Sequence, residues 1–198
     1  MVTIHFIRHG DKQPGKANPP LTQEGIRKAE STAQYLGRKK IHMILSSPMK
    51  RTQQTAAIIA NYLSMPVIVE DRLVERMELD IGNGESMNEF MDEWRKTIHN
   101  RHYQPIHGDS SFAKGNKVQL LIEEITHKKD DITIVMVTHG GTIADVLQNI
   151  FKENELQFIS DEQVQYIDIT ECSITTIIGG NGKYQLAKLA SIEHLKKK

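Results

Sequence analysis

Short apolar runs alternate along this chain with stretches whose apolar positions recur at helical spacing. Thr3-Ile4-His5-Phe6-Ile7 has the length and composition of a strand, and it ends abruptly in Arg8-His9-Gly10. After a loop rich in turn formers (Asp11 to Pro20), Leu21-Thr22-Gln23-Glu24-Gly25 opens a helix with Thr22 as its N-cap. Gly25 falls at the third helical position, where close packing can matter more than propensity, and Ile26, Ala29, Ala33 and Leu36 form the buried stripe up to Gly37. His42 to Ser46 reads as a short buried strand. Ser47-Pro48 then starts a second helix, with Pro48 at its first position and Ala56, Ile59, Ala60 and Leu63 on its inner face. Met65-Pro66 ends that helix, and Val67-Ile68-Val69 is a third strand. The β-α-β-α-β order predicts an α/β fold, a three-layer α/β/α arrangement around a mostly parallel central sheet.

From Arg72 to Gly115 the rhythm is lost. Leu79 to Gly84 is loop-like, 86–100 reads as a helix with Met87, Phe90, Met91 and Trp94 on one face, and 101–108 is polar and irregular. An irregular excursion between sheet elements is usually a lid or a pocket wall, placed here at about 76–115 within a single domain spanning 1–198. A helix at 117–127, with Val118, Leu121, Ile122 and Ile125 on one side, restores the order. A strand at 132–138, a helix at 141–151 and a strand at 165–169 follow. Cys172–Ile178 and Tyr184–Leu189 flank Gly179-Gly180-Asn181-Gly182, a hairpin turn rather than a phosphate cradle because no helix follows it. Lys196-Lys197-Lys198 is a solvated tail.

Composition narrows the function classes. With 25 basic and 25 acidic residues in 198, no global field favours nucleic acid or an anionic membrane, although a small anionic ligand needs only local charge. The single cysteine, Cys172, has no internal disulfide partner, which suits a reducing compartment. No apolar segment is long enough to span a bilayer, and no leader precedes the first strand. Cytoplasm is therefore the expected location.

Candidate chemistry gathers at strand ends, where α/β folds place their ligands. The strand at 132–138 ends in His139-Gly140-Gly141 much as the first ends in Arg8-His9-Gly10. If the two ends lie side by side, His9 and His139 converge on one anion. Arg51, in the first turn of the helix after a strand, can set its fork and nearby backbone N–H groups on a phosphate. Gly140 and Gly141 would let backbone amides approach a ligand closely.

Arg8-His9-Gly10, Leu21-Thr22-x-x-Gly25, Ser46-Ser47-Pro48-x-x-Arg51-Thr52-x-x-Thr55-Ala56, Leu73-x-Glu75 and Thr138-His139-Gly140-Gly141 together resemble the histidine phosphatase superfamily, in the branch of the cofactor-dependent phosphoglycerate mutases. Gly108-Asp109-Ser110, Cys172 to Thr175 and His194-Leu195 add to the likeness, which covers nearly the whole chain. The resemblance implies that His9, kept neutral by neighbouring arginines, attacks phosphorus to form a phosphohistidine. It implies further that Arg8, Arg51 and His139 hold the phosphoryl oxygens, with Gly140 beside them. Glu75 would protonate the leaving oxygen and later activate water. No cofactor and no metal are implied, and the partner is a small phosphorylated substrate.

Alternatives remain at several positions. Glu75 could instead be a surface carboxylate paired with Arg72 or Arg76, and Glu78 competes for its role. His99-x-x-His102 with His107 lacks a cysteine partner and is not read as a metal site. Asp11 and Lys12 are equally consistent with substrate contact and a solvated loop. Arg76, Arg95, Lys96 and Arg101 are read singly as a solvated face, and His5, His42 and His127 as structural. His194 has no assigned chemistry. Only ten residues separate Gly10 from Leu21, and the chain is shorter than the mutases. Both departures favour hydrolysis over a phosphoglycerate mutase-like transfer; a non-catalytic phosphate-binding module is the third reading.

Overall fold

The computed structural model describes residues 1–14, 18–79, 84–127, 131–160, 165–180 and 182–196. Parts of four expectations therefore lie outside the described residues: 15–17 of the first loop, 80–83 of the loop-like stretch, Asn181 of the glycine turn, and Lys197 and Lys198 of the tail. Eight strands are described: β1 (Val2–Arg8), β2 (Met43–Ser46), β3 (Ile68–Val69), β4 (Thr133–Thr138), β5 (Ile159–Ser160), β6 (Gln165–Tyr166), β7 (Ile174–Gly180) and β8 (Lys183–Ser191). Six form the central sheet in the order β3-β2-β4-β1-β7-β8. The first four are parallel, while β7 and β8 return antiparallel at one side, with a register irregularity near Thr176.

Strand alternation sorts the core into two layers. On one face Ile4, Phe6, Leu45, Ile134 and Met136 pack with Val118, Leu121 and Ile122 of α4 (Ser111–Thr126) and Ile143, Val146 and Leu147 of α5 (Gly140–Ile150). On the other, Ile7, Ile44, Val135 and Val137 meet Ala33 and Leu36 of α1 (Gln23–Leu36) and Ala56, Ile59 and Ala60 of α2 (Lys50–Leu63). The α/β/α expectation thus holds. Within the irregular excursion, α3 (Met87–His99) starts with a complete capping box between Ser86 and Glu89. No described helix is long and apolar enough to cross a membrane.

Several boundaries differ from the sequence reading, each for a local reason. The second helix starts at Lys50, not Pro48, because the Ser47 hydroxyl is drawn to an imidazole instead of serving as a full cap. The fourth starts at Ser111 rather than 117, since the Ser110 hydroxyl accepts the Ala113 N–H (3.2 Å) and opens the helix earlier. The strand expected at 165–169 is only Gln165–Tyr166, paired with β5 in a separate small sheet.

The loop leaving β1 is clamped against the start of α1. The Thr22 N–H donates to the Asp11 carbonyl (2.8 Å), while the Thr22 hydroxyl caps the helix by accepting the Gly25 N–H (3.0 Å). A Cβ on Gly25 would sit 2.4 Å from the Asp11 carbonyl oxygen and 2.7 Å from its nitrogen, so backbone meets backbone there. On propensity alone, Gly25→Ala would gain about 1 kcal/mol. The clash reverses the sign, and we expect a net loss of about 1–3 kcal/mol, measured as a lower midpoint in urea unfolding.

Candidate active site

β1 and β4 pair in parallel with Arg8 opposite Thr138, so the next residue on each strand is a histidine. The His9 N–H donates to the Thr138 carbonyl (2.9 Å), which continues the ladder one step past the strand. The two imidazole centroids are 5.3 Å apart in an edge-to-face arrangement, and both rings are almost wholly buried. His9 Nδ1 lies 2.7 Å from the Gly10 carbonyl, which can only accept, so Nδ1 carries the proton and Nε2 the lone pair. Arg51 Nε donates to that lone pair (3.1 Å), and Arg51 Nη2 donates to His139 Nδ1 (3.1 Å). His139 therefore holds its proton on Nε2 and donates it to Ser47 Oγ (2.9 Å). In this arrangement His139 orients Arg51 and offers its N–H to Ser47, whereas the sequence reading had it donating to the anion.

The arginines are held from behind. Arg8 Nη1 donates to the Ile169 carbonyl and Nη2 pairs with Glu171, each at 2.5 Å. Arg51 Nη2 also pairs with Glu78. Yet Arg8 Nε and Arg51 Nη1 are buried with no acceptor among the described residues. Two orphaned cationic donors beside a neutral imidazole form a place for an anion. Glu75 faces the same space. Its Oε2 accepts the Gly141 N–H (3.0 Å) and its Oε1 the Arg76 N–H (3.0 Å), with the Thr142 hydroxyl 3.1 Å from Oε1. A carboxylate at the N-terminus of α5 suits the helix dipole. Arg8, His9, Lys12, Arg51, Glu75, Glu78 and Gly140 all line one cavity of about 550 Å³.

Residues 4–191 match the sequence profile of the histidine phosphatase superfamily (branch 1). The chain belongs to that superfamily. This histidine phosphatase is 30% identical to phosphoserine phosphatase 1 of Hydrogenobacter thermophilus over 151 residues, 70% of this chain and 71% of that protein. It is 27% identical over 164 residues to a probable phosphoglycerate mutase of Yersinia pestis (strain Pestoides F), covering 76% and 75% of the two chains. Its fold is that of a mutant phosphoserine phosphatase of Entamoeba histolytica solved in complex with phosphoserine. The TM-score is 0.76 at 23% identity, with 99% of this chain and 100% of that one covered.

Burial sets the protonation of the phosphatase's imidazoles. It is the largest cause holding His9 down to about 3, and Arg51, Arg8 and Lys12 add repulsion against the Gly10 carbonyl, which works the other way. His139 is pushed well below the usual histidine range by burial first, then by Arg51.

The remaining sequence candidates sort by contact. Arg72 pairs with Glu70 and Glu124, and Arg76 with Asp145 (2.5 Å), so neither takes Glu75 as an ion-pair partner. Arg76 is buried, not solvated: its guanidinium stacks 3.9 Å from the Trp94 ring centroid. Arg101 is tied to the Asp145 and Gln148 carbonyls of α5, while Arg95 pairs with Asp92 and Lys96 with Glu93 on the α3 surface. Asp11 pairs with Lys28 (2.9 Å). Asn18 caps α2 by accepting the Lys50 N–H (2.8 Å). His5 bonds Thr176 (2.9 Å), His42 accepts the Thr133 N–H (2.9 Å) and His194 bonds Thr32 (3.0 Å). Among the described residues no three His, Cys, Asp or Glu side chains gather as a metal-binding group. Gly141 serves differently from the expectation: a Cβ there would strike Glu75 Oε1 at 2.6 Å and Trp94 Cη2 at 2.7 Å, so its bareness makes room for side chains.

Sequence reasoning missed Ser47, Glu171, Lys114 and Asp145. A signal existed for Asp145 alone, a carboxylate within the apolar stripe Ile143, Val146 and Leu147. Lys114, also fully buried, pairs with Asp109 (3.2 Å). Cys172 has φ +57°, and its N–H donates to the Arg8 (3.0 Å) and His9 (3.3 Å) carbonyls, pinning the end of β1.

These imidazoles make stability depend on pH. His5 is held at about 4, chiefly by burial, and His9 at about 3, against about 6.5 in the unfolded chain. As pH falls below about 6.5 the unfolded chain takes up protons that His5, His9 and His139 refuse, so folding weakens. Each such imidazole contributes a slope of roughly 1.4 kcal/mol per pH unit. Asp145, raised to about 6 by its burial, acts oppositely from about pH 6 down to 4 and cancels one of them. Urea unfolding across pH 4.5–7.5 should show the net decline on acidification.

Proposed function

We propose that the chain is a phosphomonoester hydrolase working through a phosphohistidine on His9. The observation that carries this reading is the buried, neutral His9, its Nε2 lone pair aimed at Arg51 beside the two unpartnered guanidinium nitrogens. The substrate phosphate displaces the Arg51 contact, its oxygens taking N–H groups of Arg8 and Arg51. The Nε2 lone pair attacks phosphorus, and the bond to the ester oxygen breaks as Glu75, which has taken up the proton of the monoanionic phosphate, delivers it to that oxygen. The imidazole, now phosphorylated and positive, keeps its Nδ1–H on the Gly10 carbonyl, which favours that charge. Water then gives its proton to Glu75 and its oxygen to phosphorus, breaking the P–N bond and restoring neutral His9. The charge supplied by the guanidiniums lets the scheme run without a metal. His139 anchors Arg51, with the Gly140 amide at the start of α5 beside the anion.

The segment at about 76–115 acts as the wall and lid over the leaving group, in a chain read as one domain. The substrate is a small phosphorylated molecule, as suggested by the phosphoserine held by a structural neighbour. The hydrolytic reading is preferred to a mutase because only ten residues separate Gly10 from Leu21, a short loop after the first histidine.

Three measurements test it. Rapid alkaline quench during turnover of a 32P-labelled ester should leave label on His9, located by peptide mapping. His9→Ala should abolish that label and lower kcat by about 10³-fold or more, with circular dichroism unchanged. Glu75→Gln should lower kcat/KM for alkyl phosphates by about 10²-fold but spare kcat/KM for p-nitrophenyl phosphate, whose leaving group needs no proton. Its kcat should fall for both, because the water step is shared. Stoichiometric phosphate release separates hydrolysis from isomerisation.

A further inference from the structure

Beyond its charged end the cavity changes character. Much of the rest of the lining is apolar, Met77, Phe90, Met91, Trp94, Ile98 and Ile167, most of them from α3, alongside polar Gln148, Gln165 and Asp168. The Trp94 ring reaches the ester-cleaving groups themselves, since a Cβ on Gly141 would touch both Trp94 Cη2 (2.7 Å) and Glu75 Oε1 (2.6 Å). Any group leaving beside Glu75 therefore departs along an indole edge. Phe90 extends that surface, its ring centroid 5.9 Å from that of Trp94.

A leaving group bearing a carboxylate would need a cation on this side. The described cations lining the cavity are Arg8, Lys12, Arg51 and Arg76. Arg8, Lys12 and Arg51 cluster around His9 at the phosphate end. Arg76 alone faces the apolar wall, and its charge is already committed to buried Asp145 (2.5 Å) while its plane lies on Trp94. Asp145 is itself held by the Ser111 hydroxyl (2.7 Å), so Arg76 is fixed as part of the wall. Drawing it out would strand a buried carboxylate, a costly exchange.

Resting on the phosphatase reading above, we infer that the physiological substrates are phosphomonoesters of bulky apolar or aromatic alcohols, not small carboxylated phosphoesters. An apolar body gains by leaving water for this wall, whereas a carboxylate laid against it would lose hydration beside an arginine already paired with Asp145.

The test compares primary alkyl esters of similar intrinsic reactivity: 2-phenylethyl phosphate against O-phosphoserine and glycerol 3-phosphate, with 3-phosphoglycerate added. The expected result is a kcat/KM at least about tenfold higher for 2-phenylethyl phosphate. Trp94→Ala should shrink that ratio while leaving inhibition by vanadate, which reads only the phosphate end, within about twofold. Met91→Lys, on the rim of the same wall, should shift the ratio towards 3-phosphoglycerate without requiring the indole to be removed. A wild-type preference for phosphoserine or 3-phosphoglycerate would overturn the inference and leave the phosphatase reading intact. Failure to hydrolyse any of the four, with no phosphohistidine formed, would overturn that reading and the inference together.

Discussion

The in-register parallel pairing of β1 with β4 is the constraint from which the site follows. A slip of one residue would turn Ile134 and Met136 out of one core layer and Val135 and Val137 out of the other. Because both layers are closed by helices, that slip is heavily penalised, and the hydrophobic core fixes the spacing of His9 and His139 without any contact to a ligand. The clamp between Asp11 and α1 and the Cys172 N–H on the Arg8 and His9 carbonyls then set the backbone on either side of His9. A buried polar centre is thus positioned mainly by apolar packing.

Charge in that centre is balanced by residents rather than left bare. Glu171 sits on Arg8 and Glu78 on Arg51, so each guanidinium keeps a carboxylate partner. The two carboxylates differ in consequence. Glu171 approaches from the side of Arg8 already held by Ile169, whereas Glu78 shares the Arg51 nitrogen that also reaches His139.

Most of the fold was legible because strand and helix periodicities are local. The two core faces, the N-cap at Thr22 and the tight packing at Gly25 were all readable from spacing and residue type. The convergence of Arg8, His9, Arg51, Glu75 and His139 was foreseeable from strand ends and motif order. Hydrogen-bond direction was not. That His139 would give its proton to Ser47 depends on which atoms meet across ninety-two positions of chain, and no pattern of residue types encodes it. Arg76 was misread for a related reason: its buried partner, Asp145, is sixty-nine residues away, and only the pair makes burial tolerable.

Cys172 carries a last consequence. Its N–H is bonded to the Arg8 and His9 carbonyls, yet the thiol is wholly enclosed, and burial pushes it up to about 12. Burial therefore keeps this sulfur protonated at neutral pH and closed to alkylating agents and peroxide. Oxidant reaching this chain meets methionine thioethers before the thiol, Met87 among the exposed ones.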